Sequence, residues 1–163
     1  MTKKVIACLI GGLGNQLFGY AAARRLAIVT GSELVIDPKS GFKFDKVFRR
    51  SYNLQPFNIT VRFATVSERL QPFSRLRRKI KIHSEIRKDF ARRSYIIQLN
   101  DMDFDHRLLD RDVEGQIWIQ GIWPSEDYFL DIRDIIANDL TIDPPEDKTV
   151  SYTHLTLPTK RIV

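Results

Sequence analysis

The sequence predicts an α/β chain built on a parallel sheet, and three observations carry that prediction. Val5 to Ile10 is a short, nearly continuous apolar run ended by glycines, the pattern of a strand buried on both faces. From Leu17 to Val29 the apolar residues Phe18, Ala21, Ala22, Leu26 and Val29 recur with a helical period. Glu33 to Ile36 reads as a second strand, closed by Asp37-Pro38. A strand, a helix and a strand within roughly 30 residues form a βαβ unit with a right-handed crossover.

The remaining elements follow in chain order. Gly11 to Gln16 reads as the loop between the first strand and the helix. Arg24 points away from the helix's apolar stripe, Arg25 lies within it, and Gly31 is placed to end the helix. Lys39 to Phe57 has no period and reads as an irregular connection. Ile59, Val61 and Phe63 alternate as in a strand, and Thr65 with Glu68 has the spacing of a capping box opening a short helix. Residues 74–91 read as a helix with Leu76, Ile80, Ile86 and Phe90 partly inward. Tyr95 to Leu99 and Ile117 to Gln120 read as further strands. A last helix opens at Ser125, with Glu126 and Asp127 in its first turn. Its apolar face is Tyr128, Phe129, Ile132, Ile135, Ile136 and Leu140, and Pro144-Pro145 ends it.

Composition narrows the classes of function. A chain of 163 residues fits one α/β domain or one half of a two-domain enzyme. One cysteine, Cys8, excludes a disulfide framework, and three histidines without a Cys-x-x-Cys argue against structural zinc. No apolar run approaches the roughly 20 residues that span a bilayer. The N-terminal apolar run is too short for a signal peptide, so the expected location is the cytoplasm. The net charge of +6 is local, because nine basic residues fall between Arg75 and Arg93 against only Glu85 and Asp89. That segment reads as a solvated helix face, as an interfacial helix for an anionic surface, or as a nucleic-acid contact. Aromatic residues are nearly absent from it, which disfavours stacking on single strands, and no nucleic-acid partner is expected.

A glycine-rich loop between a buried strand and a helix start lets the backbone approach an anionic ligand. Gly12 and Gly14 with Asp37 match part of a dinucleotide fingerprint, but Leu17 stands at its third glycine. No Gly-Lys-Ser/Thr follows, so a P-loop is excluded. A tight turn with no ligand is the plain alternative.

The longer string is more specific. Gly11-Gly12-Leu13-Gly14-Asn15-Gln16-Leu17-Phe18-Gly19-Tyr20-Ala21, followed by Arg24-x-Leu26-Ala27, resembles the N-terminal signature of the α-1,2-fucosyltransferases of glycosyltransferase family 11. Gly19 stands where that family usually has Gln. A second block is Tyr52-Asn53-Leu54 with Phe57-Asn58-Ile59. A third, Gly121-Ile122-Trp123-Pro124-Ser125-Glu126-Asp127-Tyr128-Phe129, is similar to the family's Gly-Tyr-Trp-Gln-Ser-Glu-x-Tyr-Phe.

The resemblance implies a Rossmann-like parallel sheet, the N-terminal half of a GT-B-type glycosyltransferase. It implies transfer of fucose from GDP-fucose to a galactose 2-hydroxyl of a galactoside acceptor, with inversion and without a metal. It assigns substrate binding to Gly12, Gly14, Asn15 and Gln16, and names no catalytic residue. The family's His-x-Arg-Arg-Gly-Asp motif, thought to hold the donor diphosphate, is expected after the third block. Here His154 is followed by Leu155, and Tyr152 to Val163 resembles a translated sequencing-adapter tail. The expected division is therefore residues 1–151 as the fucosyltransferase domain and 152–163 as a non-native tail. The fragment is expected to be inactive alone. The basic segment 75–93 leaves peripheral contact with the inner face of the membrane open beside the favoured reading of a plain solvated face.

Each candidate residue also has a plain structural reading. Asn15 either contacts the nucleotide-sugar or bonds its own turn or caps the helix. Gln16 is open between the same alternatives, and Arg24 reads as a structural ion pair. Trp123 reads as core, with stacking on a sugar as the alternative. Glu126 and Asp127 read as helix-start acids, His83 and His106 as surface residues, and Cys8 as a small core residue.

Overall fold

The computed structural model describes residues 2–43, 45–98 and 104–142. Its elements in chain order are β1 (Lys4–Cys8), α1 (Leu13–Val29), β2 (Glu33–Asp37), α2 (Ser74–Ile86), β3 (Tyr95–Ile97), β4 (Gln116–Gln120) and α3 (Arg133–Asp139). The four strands form one all-parallel sheet in the order β2-β1-β4-β3, a Rossmann-like α/β arrangement. Register aligns Cys8 with Asp37 and Gln120, and Gln120 with Ile97, so the four strands end along one edge.

Strand alternation divides the core into two layers. Val5, Ala7, Leu34, Ile36, Ile96, Ile117 and Ile119 face one way and pack with α1. Ile6, Cys8, Val35, Tyr95 and Trp118 face the other way, joined by Ala64, Leu70 and Ile82. Small residues on α1 allow a close approach to the sheet, with Gly19, Ala21, Ala22, Ala23 and Ala27 all buried beside Tyr20 and Leu26. Val29, expected on the buried stripe, is the last residue of α1 and is exposed, whereas Ala21, Ala22 and Leu26 of that stripe are buried. α1 is anchored at its other side by Asp139 of α3, which accepts from the Tyr20 hydroxyl at 2.7 Å and from Arg24 Nε at 2.9 Å.

Several expected elements differ. α1 begins at Leu13 rather than Leu17, so Gly14, Asn15 and Gln16 belong to its first turn. Glycine is a poor helix former, yet the first N–H donors of a helix have no intrahelical acceptor anyway, and its first turn tolerates glycine. Ile59, Val61 and Phe63 form no strand. A single parallel bridge joins Ile36 to Phe63 at the sheet margin, made by Ile36 N–H to Arg62 O and Ala64 N–H to Ile36 O. The Thr65–Glu68 capping box forms both of its bonds, but it closes a turn and opens no helix.

α2 ends at Ile86, and a 3₁₀ turn over Phe90–Arg92 follows. Leu76, Ile80 and Ile86 are exposed rather than inward, because Ser74, Arg78, Ile82 and Glu85 occupy the sheet side. β3 ends at Ile97, and Leu99 lies outside the described residues. The helix expected from Ser125 is two 3₁₀ turns, Glu126–Tyr128 and Leu130–Ile132, before α3. The break falls at Phe129, whose φ of −145° is not helical. Ile135, expected on the apolar face, is exposed. The suspected tail 152–163, His154 included, lies outside the described residues.

Candidate functional site

In an open parallel sheet, ligands bind beyond the carboxyl ends of the strands, where connections diverge to opposite sides. β1 is followed by a crossover to β2 on one side, and β4 lies on its other side, so the divergence falls between β1 and β4. The loops at that point are Gly11-Gly12 after β1 and Gly121-Ile122-Trp123 after β4.

Gly11 has a φ of +77°, and a Cβ there would sit 2.5 Å from Asn15 Nδ2. Glycine is therefore required twice, by backbone conformation and by the Asn15 side chain folded over it. Gly12 is the N-cap of α1 and offers no side-chain cap, and no acid stands in the first turn. The N–H groups of Leu13, Gly14 and Asn15 have no intrahelical acceptor, whereas Gln16 N–H reaches Gly12 O at 3.0 Å. The dipole of a 17-residue helix adds positive potential at the same place. This start of α1 can accept an anionic group by backbone donation alone.

The four expected binding residues separate into two kinds. Gly12, Gly14 and Asn15 lie at the accessible start of α1, and the Asn15 amide makes no hydrogen bond among the described residues. Gln16 is fully buried. Its Nε2 donates to Gly11 O at 3.0 Å and Ser51 O at 2.9 Å, and its Oε1 accepts from Asn53 N–H at 2.9 Å. It fastens the glycine loop to residues 51–53 and shapes the site from beneath.

Across the crevice, Gln98 follows β3. Its Oε1 accepts from Ile122 N–H at 2.9 Å and Trp123 N–H at 2.8 Å, while its Nε2 has no partner among the described residues. Gly121 makes room for it, since a Cβ there would fall 2.6 Å from Gln98 Cβ. α1 closes on the same loop, with Gly121 O 3.3 Å from where a Cβ on Gly19 would sit. Sequence reasoning passed over Gln98. The available signal was a polar residue just beyond the end of a buried parallel strand.

Asp37 ends β2 fully buried and occupied. Its Oδ2 accepts from Arg78 Nη2 at 2.8 Å, and its Oδ1 accepts from the N–H groups of Lys39 and Ser40. Those bonds turn it away from a ribose in the crevice. Arg78 also donates to Cys8 Sγ at 3.3 Å and to the Tyr95 hydroxyl at 3.2 Å. Burial pushes the Cys8 thiol up to about 11, so it stays protonated and unreactive at neutral pH.

Trp123 is core, packed edge-on against Tyr128. Ser125 Oγ accepts from Asp127 N–H, so that acid does belong to a capped turn. Arg24 is a structural ion pair with Asp139. His83 and His106 are exposed, and no group of side chains able to hold a metal ion occurs among the described residues. No described helix is long and apolar enough to cross a membrane. A cavity of about 750 Å³ lies at the opposite edge, beside Ser94 and Ile117 at the strand starts. His106 lines it, but no residue of the glycine loop, the start of α1 or the loop after β4 does, and ligand-binding loops of this architecture do not converge there.

Compared with family models, with curated proteins and with solved structures, the chain finds no match.

Proposed function

We propose that this chain is the N-terminal half of a two-domain galactoside α-1,2-fucosyltransferase, with GDP-fucose as donor, and that it contributes part of the donor site. The observation that carries the reading is the convergence of the three sequence blocks. Gln16 of the first block bonds Asn53 of the second. Gly19 of the first abuts Gly121 of the third, and the Phe18 and Phe129 rings lie 5.8 Å apart. Contacts spanning 37 positions between the first two blocks and more than a hundred between the first and third thus bring the blocks together around α1.

The chemistry supports the same place. Departure of GDP from fucose puts negative charge on diphosphate oxygens, and preorganised donors must receive it. The free N–H groups of Leu13, Gly14 and Asn15 supply part of that, and the Asn15 amide adds a directional contact to the nucleotide-sugar. The arginine pair expected from the family supplies the rest from the second half. A nicotinamide-dinucleotide reading needs Asp37 on a ribose, and the Arg78, Lys39 and Ser40 bonds to Asp37 weigh against it.

The test is an amide-resolved titration of the chain with GDP-fucose and, separately, with NAD⁺. The reading predicts shifts at Gly11 to Gln16 and Gly121 to Trp123 with GDP-fucose, and none with NAD⁺. Equal responses to both, or shifts only at the opposite cavity, overturn it.

A further inference from the structure

α2 is built inside out. A surface helix ordinarily turns its apolar stripe inward and its charges outward. Here the sheet side holds Ser74, Arg78 and Glu85, with Ile82 the one aliphatic residue, while Lys81 Nζ lies 4.5 Å above the Trp118 ring. Leu76 and Ile80, four apart on one line of the helix, are 59% and 61% exposed, and Phe73, the residue before its first turn, is 75% exposed. Arg77, Lys79, His83 and Arg87 border that line, all exposed. The helix's one acid, Glu85, is buried, accepting from Lys88 Nζ and from Ser94 N–H. The outer face therefore combines aliphatic side chains with cations and carries no anion.

A second element adds the same chemistry. Lys43 shares a cleft with Phe73 and Leu76 at the start of α2. A few residues on, Val47 and Phe48 are exposed beside Arg49 and Arg50, and Asp45 is engaged by Phe48 N–H and Arg50. Leaving this much apolar surface in water is unfavourable unless something covers it.

We propose that the outer face of α2 is a docking surface for an anionic lipid bilayer, lying in the interface with Phe73, Leu76 and Ile80 among the acyl chains and Arg77, Lys79 and Arg87 on headgroup phosphates. Charge complementarity selects this occupant. A second copy of the chain, placed symmetrically, brings the same cations face to face. A nucleic-acid backbone pairs with the cations but leaves Leu76 and Ile80 uncovered, and α2 itself offers no Phe, Tyr or Trp to stack on bases. The proposal is independent of the donor-site reading.

The experiment is co-sedimentation of the 163-residue chain with phosphatidylcholine vesicles, with and without phosphatidylserine. Binding is expected only with phosphatidylserine, and it weakens as salt rises. Leu76→Ser with Ile80→Ser lowers partition by about tenfold or more, since both side chains leave the acyl region. Arg77→Gln, Lys79→Gln and Arg87→Gln together lower it roughly a hundredfold, about fivefold for each charge. Arg133→Gln, exposed on α3, leaves it unchanged. All these positions are exposed, and circular dichroism checks that each variant folds. Equal binding to both vesicles, an unchanged partition in the serine variant, or no vesicle binding overturns the proposal. So does a dimer in solution that the serine variant dissociates.

Discussion

Arg78 and Asp37, 41 positions apart, form a buried ion pair of 2.8 Å that ties α2 to the end of β2. The Asp37 side chain is wholly buried and that of Arg78 nearly so. Removing one member of such a pair strands the other charge in a poor solvent for it, at about 3–5 kcal/mol. Arg78→Met is expected to destabilise the chain by about that amount in urea unfolding. Adding Asp37→Asn should cost much less than its own single effect, because the stranded carboxylate is gone. Strict additivity of the two changes would mean that the pair does not hold α2.

Gln16 and Asn15 are adjacent, but they answer different questions. Gln16→Leu leaves Asn53 N–H and the carbonyls of Gly11 and Ser51 without their side-chain partner. The expected cost is about 2–4 kcal/mol, with faster hydrogen exchange at Asn53. Asn15→Ala removes an exposed amide with no partner among the described residues, so its stability should stay within about 0.5 kcal/mol of the parent. Thermal unfolding of the two variants separates the role beneath the loop from the role at its surface.

The acid limb of stability should depend on Glu68. Arg62 binds both of its oxygens at 2.8 Å and holds the carboxyl far below the usual carboxylate range, against the opposing effect of burial; Thr65 and Lys4 add to the lowering. In the unfolded chain the group takes up a proton near its ordinary value of 4.5. Between those two values the unfolded state binds more protons, so stability rises with pH. The contribution is complete above the ordinary carboxylate range and is lost as pH falls through it toward the folded value. Unfolding free energy should therefore fall below about pH 5, and Glu68→Gln should flatten that limb. An acid limb unchanged in Glu68→Gln would assign the effect to other carboxylates.

The sequence made the sheet legible wherever the pattern was local. Val5 to Ile10, Glu33 to Ile36 and Ile117 to Gln120 are largely apolar runs between breakers, and each marks a strand, although β1 ends at Cys8 and leaves Leu9 and Ile10 beyond it. The start of α1 was not legible, because Gly11 to Gly14 has the composition of a loop, and only the backbone shows Leu13 and Gly14 already helical. The orientation of α2 was not legible either. Periodicity locates an apolar stripe but does not say which side the sheet takes, and Arg78 goes inward because Asp37 waits there, 41 residues away. The same non-local pairing hid Gln98, whose partners Ile122 and Trp123 come from another loop.

The proposed fucosyl transfer is measured most directly as GDP release from GDP-fucose with a galactoside acceptor. The assay compares the chain alone with the chain joined to a second half that carries the family's arginine-pair motif. The chain alone is expected to show no transfer, because charge-assisted bonds of about 1.5–3 kcal/mol each are missing from the leaving group's surroundings. The joined protein is expected to transfer fucose, and Asn15→Ala in it should lower turnover by about ten- to a thousandfold with folding unchanged. Absence of transfer by the joined, folded protein contradicts the account. So does turnover within a factor of about two after Asn15→Ala, or turnover by the chain alone that Asn15→Ala abolishes.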